Sequence, residues 1–144
     1  MDTPDGIEVT GPKDGSLRGI TVDMNDFSDQ ALTLAAIAPF ADKPVRMERI
    51  GQIRGQECDR IHAIVTELAK LGIRCEEEPD AVTIYPGTPR GGIVETYEDH
   101  RVAMSFALTG LRTEGVVIQN PDCCKKTFAE YFEVLEQVLE EISN

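Results

Sequence analysis

Cations stand where helices ordinarily place acids. The N-terminal end of a helix carries partial positive charge and recruits Asp, Glu, Ser or Thr, whereas Lys and Arg belong in the last turn. In this chain Arg60 opens a helical pattern reaching Leu71, His100 and Arg101 open one reaching Leu108, and Lys125 and Lys126 precede one reaching Glu140. Three of the four expected helices therefore start cationic, in a chain of formal net charge -12. Such placement costs stability unless an anion sits where helix amides and cations converge, so the implied ligand is strongly anionic. The remaining helix starts at Asp29, where the dipole favours a carboxylate. A carboxylate beside an anion pocket is a candidate general base, or a group that orients a hydroxyl.

Taken singly, each residue has a plainer reading. Asp29 and Asp99 read as helix N-caps, Arg60 as half of a solvated pair with Glu57 or Asp59, His100 as a capping or core histidine, and Lys126 as a surface lysine. Glu57 alone means little. His62, one residue after Ile61, reads as a surface or boundary histidine, and Glu76-Glu77-Glu78 and the tail from Glu136 to Glu141 read as solvated faces. What joins the candidates is their position at equivalent ends of a repeated unit.

That repeat sets the architecture. Ser28 to Ala35 and Glu98 to Ser105 match in polarity at an offset of 70 residues, Asp29 against Asp99. Ile61, Ile64, Val65, Leu68 and Leu71 share the helical spacing of Phe128, Tyr131, Phe132, Leu135 and Val138 at an offset of 67. Between the helices of each copy, Pro44 to Glu48 and Gly115 to Gln119 read as strands, and Ile73 to Glu77 with Val82 to Tyr85 as a hairpin-like pair. Asp5 to Thr10 resembles Asp80 to Tyr85, so the chain begins inside an earlier copy and the native protein is expected to be longer. Residues 1–11 read as the last strand of a preceding unit, 12–87 as one complete unit and 88–144 as a final unit. The first helices, roughly Gln30 to Ala38 and Arg101 to Leu108, are apolar nearly all round and must be covered on all sides; the second helices are amphipathic. The fold class is α/β (α+β), with buried first helices and the sheets and amphipathic helices around them.

Composition excludes other classes. At 144 residues with 41% apolar and 28% charged residues, the chain is that of one globular domain. The acidic balance and the lack of any Lys/Arg run argue against nucleic acid. The longest apolar stretch, Ala31 to Ala41, is too short to span a bilayer and no signal-peptide pattern opens the chain, so a cytoplasmic location is expected. Cys58, Cys75, Cys123 and Cys124 form no CxxC pair and read as free thiols.

Four segments carry a family resemblance. Tyr97-Glu98-Asp99-His100-Arg101-Val102-Ala103-Met104 resembles the Y-x-D-H-R-x-A-M signature of the 5-enolpyruvylshikimate-3-phosphate synthase family, and Arg54 to Ile61 resembles its R-x-K-E-[ST]-D-R-[IL] motif. Lys126-Thr127-Phe128 with Tyr131-Phe132 resembles its K-T-[FY] ending, and Ser28-Asp29 with the Ala-rich helix after it resembles its P-D-A segment. The resemblance runs from Ile7 to Leu139 and corresponds to the last third of a family member. It implies a two-domain fold of three βαβαββ units per domain, with the N-terminal domain and most shikimate-3-phosphate contacts absent here. It further implies transfer of the carboxyvinyl group of phosphoenolpyruvate to the 5-hydroxyl of shikimate-3-phosphate, without metal or organic cofactor, by an enzyme that is monomeric when complete. By position, Asp29 corresponds to the group that orients or deprotonates that hydroxyl, and Glu57 to the carboxylate handling the proton at carbon 3. Arg60, Arg101 and Lys126, with His100 beside them, correspond to the cations holding carboxylate and phosphate, and Asp99 to a group orienting Arg101 or His100. Gln56 stands where many members have Lys, and Gln52 where they have Asn, both at substrate-binding positions. The chain alone is expected to be inactive. Two alternatives stand beside this reading: a sibling transferase acting on UDP-N-acetylglucosamine, whose motif resembles D-L-R where this chain has Asp99-His100-Arg101, and a non-catalytic binding or structural fragment.

Overall fold

Apolar periodicity switches between two and 3.6 along the chain, and the elements follow it. In the computed structural model, which describes residues 1–143, the order is β1 (Asp2–Thr3), β2 (Gly6–Ile7), β3 (Thr21–Asp23), α1 (Ala31–Ile37), β4 (Val45–Glu48) and α2 (Arg60–Lys70). It continues with β5 (Cys75–Glu77), β6 (Ala81–Ile84), β7 (Gly92–Val94), α3 (His100–Gly110), β8 (Val116–Ile118) and α4 (Tyr131–Ser143). Short 3-10 turns at Asn25–Gln30, Gly51–Gly55 and Pro121–Lys126 lie next to the helices that carry the candidate residues.

Parallel strands need a crossover, and a helix supplies it twice. β3 and β4 pair in parallel across α1, and β7 and β8 pair in parallel across α3. β6 joins the free edge of β4 antiparallel and β5 lies outside it, giving a four-stranded sheet of order β3-β4-β6-β5. The first copy is thus strand, helix, strand, helix and strand pair, and the second repeats its first four elements. This is the expected mixed α/β class. β1 and β2 pair only with each other, so the strand read over Asp5 to Thr10 is confined to Gly6–Ile7, and Ile7 and Val9 are exposed.

The core is shared by the two crossover helices, α2 and the four-stranded sheet. Ala31, Ala35, Ala36 and Ala103 have no exposed surface, and their small side chains let α1 and α3 approach closely. Thr109 Oγ1, buried, donates to the Ala36 carbonyl at 2.7 Å across that seam. α2 turns Ile61, Ile64 and Leu68 inward, while Val45, Met47, Val82 and Ile84 from the sheet fill the space with Phe106 of α3. His62 on the outer face of α2 is exposed, as expected. α4 has the same apolar periodicity, yet none of its residues is buried, and Val134, Val138, Leu139 and Ile142 face solvent. No helix among the described residues is long and apolar enough to cross a membrane. All four cysteines are unpaired.

Two boundaries depart from the sequence reading. α1 begins at Ala31 because a kinked 3-10 segment, Asn25–Gln30, precedes it, with Phe27 in a non-helical conformation. α4 begins at Tyr131, so Lys125 and Lys126 do not open it; they close the 3-10 segment Pro121–Lys126, the end where a cation is favoured.

Phe106→Ala should lower stability by about 3–5 kcal/mol, because it empties a fully buried site, whereas Ile142→Ala should change it by under about 0.5 kcal/mol. Urea titrations of both variants, compared at constant m, test this.

Candidate functional site

The site grows from the start of α3. Asp99 is the N-cap, and its Oδ1 accepts from the Arg101 backbone amide at 2.9 Å. The two residues before it, Tyr97 and Glu98, hold φ of 53° and 55°. A left-handed conformation costs a residue other than glycine roughly 1–2 kcal/mol, so this turn is strained and must be held from outside. It swings the chain out of β7 and presents His100 and Arg101 at the first turn of the helix.

Asp99 has no exposed surface. Arg60, the first residue of α2 and almost as buried, grips it with Nε to Oδ2 at 2.7 Å and a terminal nitrogen to Oδ1 at 3.2 Å. Burial raises the Asp99 carboxyl, but the Arg60 hydrogen bond and charge, the Arg101 amide and the Cys58 thiol outweigh it and hold the group below the usual carboxylate range. Cys58 Sγ lies 3.5 Å from Asp99, and burial together with that charge pushes the thiol up to about 12. It remains a thiol and a donor.

The second guanidinium nitrogen of Arg60 points outward. It lies 3.5 Å from Asp29 Oδ1 and also donates to the Gln56 side-chain oxygen, while Gln56 Nε2 donates to Asp29 at 3.3 Å. Arg101 reaches the other Asp29 oxygen at 3.4 Å. Glu57 is held by Lys126 Nζ at 2.6 Å and lies 3.2 Å from His100 Nδ1. The hydrogen bond from Lys126 keeps the Glu57 carboxyl below its usual range, against burial and the Asp99 charge. Asp29, Gln56, Glu57, Arg60, His100 and Arg101 line one open depression. Lys126 borders it through Glu57. Gln52 stands apart, its amide donating to the Asn25 carbonyl at 3.3 Å. Asp99 binds Arg60 and the α3 amide, with the His100 ring Nδ1 4.0 Å from its Oδ1; it makes no bond to the Arg101 side chain.

The electrostatics correct one inference from sequence. The cations at helix starts do not depend on an external anion, because Asp59 and Asp99 cap α2 and α3, and Arg60, Arg101 and Lys126 are offset by Asp99, Asp29 and Glu57. Glu57, Asp99 and His100 also bring ligand atoms within 4.8 Å of one another. Arg60 occupies both Asp99 oxygens, and Lys126 and His100 engage those of Glu57, so the donor set fits a metal ion poorly.

Arg54 is the residue whose role sequence reasoning missed. It bonds Asp59 at 3.0 Å, Glu77 at 2.8 Å and the carbonyls of Pro79 and Glu78, tying the loop that carries Gln56 and Glu57 to the sheet edge. Glu77 and Glu78, expected to be simply solvated, take Arg54 and Arg46. Only the motif position of Arg54 hinted at this, since its partners lie up to 25 residues away.

Removing Arg60 should be far costlier than removing Arg101. Arg60→Ala leaves Asp99 buried and unpaired, a loss of about 3–5 kcal/mol, whereas the half-exposed Arg101 pair with Asp29 contributes under about 1 kcal/mol. Because the folded pKa of Asp99 is depressed, its contribution is complete above about pH 4 and is lost as pH falls through the folded pKa. The stability gap between the unsubstituted chain and Arg60→Ala should narrow below about pH 4 in denaturant titrations; a constant gap would assign the loss to packing.

Comparison with known proteins places these residues in a family. Residues 2–135 match the sequence model for EPSP synthase (3-phosphoshikimate 1-carboxyvinyltransferase). The 3-phosphoshikimate 1-carboxyvinyltransferase of Nostoc punctiforme is 52% identical over 140 residues, which is 97% of this chain and 32% of that protein. The chloroplastic 3-phosphoshikimate 1-carboxyvinyltransferase of Brassica napus is 40% identical over 142 residues, 94% of this chain and 28% of that protein. A solved EPSP synthase from Acinetobacter baumannii superposes with a TM-score of 0.79 at 27% identity, covering 85% of this chain and 30% of that one. The chain spans about a third of the length of the curated relatives it matches. With the motif residues gathered in one depression and the match running over nearly its whole length, the chain belongs to the EPSP synthase (3-phosphoshikimate 1-carboxyvinyltransferase) family.

Proposed function

We propose that this chain supplies half of the active site of an enzyme that moves the carboxyvinyl group of phosphoenolpyruvate to the 5-hydroxyl of shikimate-3-phosphate and releases phosphate, a step toward aromatic amino acids. The observation that carries the proposal is Asp29 held between the Arg60 and Arg101 guanidiniums at 3.5 and 3.4 Å, with Glu57, His100 and Lys126 beside them. A carboxylate so placed can take the hydroxyl proton as the oxygen bonds to carbon 2 of phosphoenolpyruvate. A proton goes to carbon 3 at the same stage, from the group that Glu57 forms with His100 and Lys126. In the second stage the bond from carbon 2 to the phosphate oxygen breaks, carbon 3 returns its proton, the proton taken by Asp29 passes to the departing phosphate, and the vinyl group is restored. Arg60, Arg101 and Lys126 hold the carboxylate and phosphate; cations already in place stabilise a leaving dianion without reorganisation. Asp99 keeps Arg60 aimed, and Gln52 and Gln56 contact the alcohol substrate.

The three cations face three carboxylates, so these residues leave little net positive charge for a ligand bearing both carboxylate and phosphate. Further cations must come from the other domain of the longer enzyme, and the chain alone turns over no substrate. Residues 12–87 act as one complete unit, 88–144 as the final unit, and 1–11 as the end of a preceding one. A complete chain carries both halves of the site and works as a monomer. Its unpaired cysteines suit a cytoplasmic protein. His100, engaged with Glu57, favours the shikimate substrate over UDP-N-acetylglucosamine, whose enzymes resemble D-L-R at this motif.

Grafting this chain onto the remaining part of the Nostoc punctiforme relative tests the proposal. The graft should turn over phosphoenolpyruvate with shikimate-3-phosphate and not with UDP-N-acetylglucosamine, and Asp29→Asn should lower kcat by about 100-fold or more. A folded graft without turnover, or full turnover in Asp29→Asn, would overturn it.

A further inference from the structure

Arg60 and Glu67 lie seven residues apart on α2, close to two full turns, so their side chains leave the same face of the helix. Both are buried. Arg60 holds Asp99; Glu67 has no exposed surface and hydrogen-bonds none of the residues lining the depression. A carboxylate is almost never buried so completely unless it is paired. Glu67 is paired three times: Oε1 accepts from the Tyr97 hydroxyl at 2.7 Å, and Oε2 accepts from the Glu95 backbone amide at 3.0 Å and meets Lys70 Nζ at 2.5 Å. Lys70 is one turn further along the same helix and supplies the countercharge. The other two bonds leave the helix and reach the loop between β7 and α3.

Two struts from one helix face therefore grip the loop at both ends, Glu67 at Glu95 and Tyr97, Arg60 at Asp99. Between them lie Tyr97 and Glu98, the two consecutive residues in the left-handed region. Such a turn persists only where its surroundings over-determine it. Burial, then the Glu67 hydrogen bond and charge, push the Tyr97 hydroxyl well above the usual phenol range, so it stays protonated and keeps donating. The turn leads directly into Asp99, His100 and Arg101.

We propose that Glu67 is a positioning residue for the anion site: by fixing Glu95 and Tyr97 it sets the strained turn that aims the first turn of α3, and with it Arg101, at Asp29. What the site binds rests on the function proposed above; the mechanical link does not. The test uses the unsubstituted 144-residue chain, Glu67→Gln, Tyr97→Phe and the double variant, followed by amide hydrogen exchange and by titration with inorganic phosphate. Glu67→Gln keeps the size and one carbonyl oxygen but loses the charge and the second acceptor. Exchange at the amides of Glu95, Asp99 and Arg101 should speed up about 10-fold while the β4 and β6 amides keep their rates, and phosphate affinity should fall about 10-fold. Tyr97→Phe should give a similar local effect, and the double variant little beyond the larger single one. Tyr97→Phe, which loses one oxygen, carries the test if Glu67→Gln does not fold. Three results would overturn the proposal: unchanged exchange at those three amides, faster exchange by the same factor throughout the chain, or local loosening with phosphate affinity intact. Phosphate binding too weak to measure in the unsubstituted chain is compatible with the functional reading, which draws further cations from the other domain, and the exchange pattern then decides the positioning role by itself.

Discussion

The buried pair between Arg60 and Asp99 is the interaction on which the site depends. Two charges removed from water gain little net stability over a well-packed apolar pair, because desolvation consumes most of their attraction; breaking such a pair is what is expensive. Its value here is geometric. Arg60 is the first residue of α2 and Asp99 the cap of α3, so one bidentate contact of 2.7 and 3.2 Å locks helices from two different repeat units end to end. Each partner has capacity left over. Asp99 Oδ1 still accepts from the Arg101 amide, and Arg60 still reaches Asp29 and Gln56.

The repeat makes this meeting of ends possible. Small residues along α1 and α3 bring the two crossover helices together, and the carboxylate just before α1 then stands beside the first turn of α3. α2 packs against α1 and brings its own N-terminal end to the same edge. Three helix starts, from two copies of one unit, thus deliver Asp29, Arg60, His100 and Arg101 to one depression. No side chain has to reach far.

Charge within the depression is nearly balanced, and that balance explains how an acidic chain tolerates cations at positive helix ends. The caps Asp59 and Asp99 satisfy the helix amides, and Asp29 and Glu57 offset the cations that remain. The cost of pointing Arg60 and Arg101 at the dipole is absorbed inside the chain. Preorganised cations of this kind are useful to a reaction that develops anionic charge, since they need not move when the charge appears.

Much of this was legible in the residues alone, for local reasons. The repeat, the buried character of α1 and α3 and the succession of helices and strands along the chain follow from periodicities of two and 3.6, which each segment expresses without its neighbours. The residues lining the depression were legible too, since Asp29, Glu57, Arg60, His100 and Arg101 stand at motif positions and repeated helix starts. Their pairing was not. Sequence adjacency suggested Glu57 or Asp59 for Arg60, whereas its partners are Asp99, 39 residues on, and Asp29, 31 residues back. α4 starts at Tyr131 and not directly after Lys126, which closes the turn Pro121–Lys126 instead. Cys58 and Glu67 gave no sign of their bonds, and Arg54 none beyond its motif position, since a guanidinium, a thiol and a carboxylate look alike on paper whether solvated or buried. Periodicity is a property of the chain and can be read along it; the partner of a buried charge is chosen by which groups the packed helices bring within about 3 Å, and only the tertiary structure decides that.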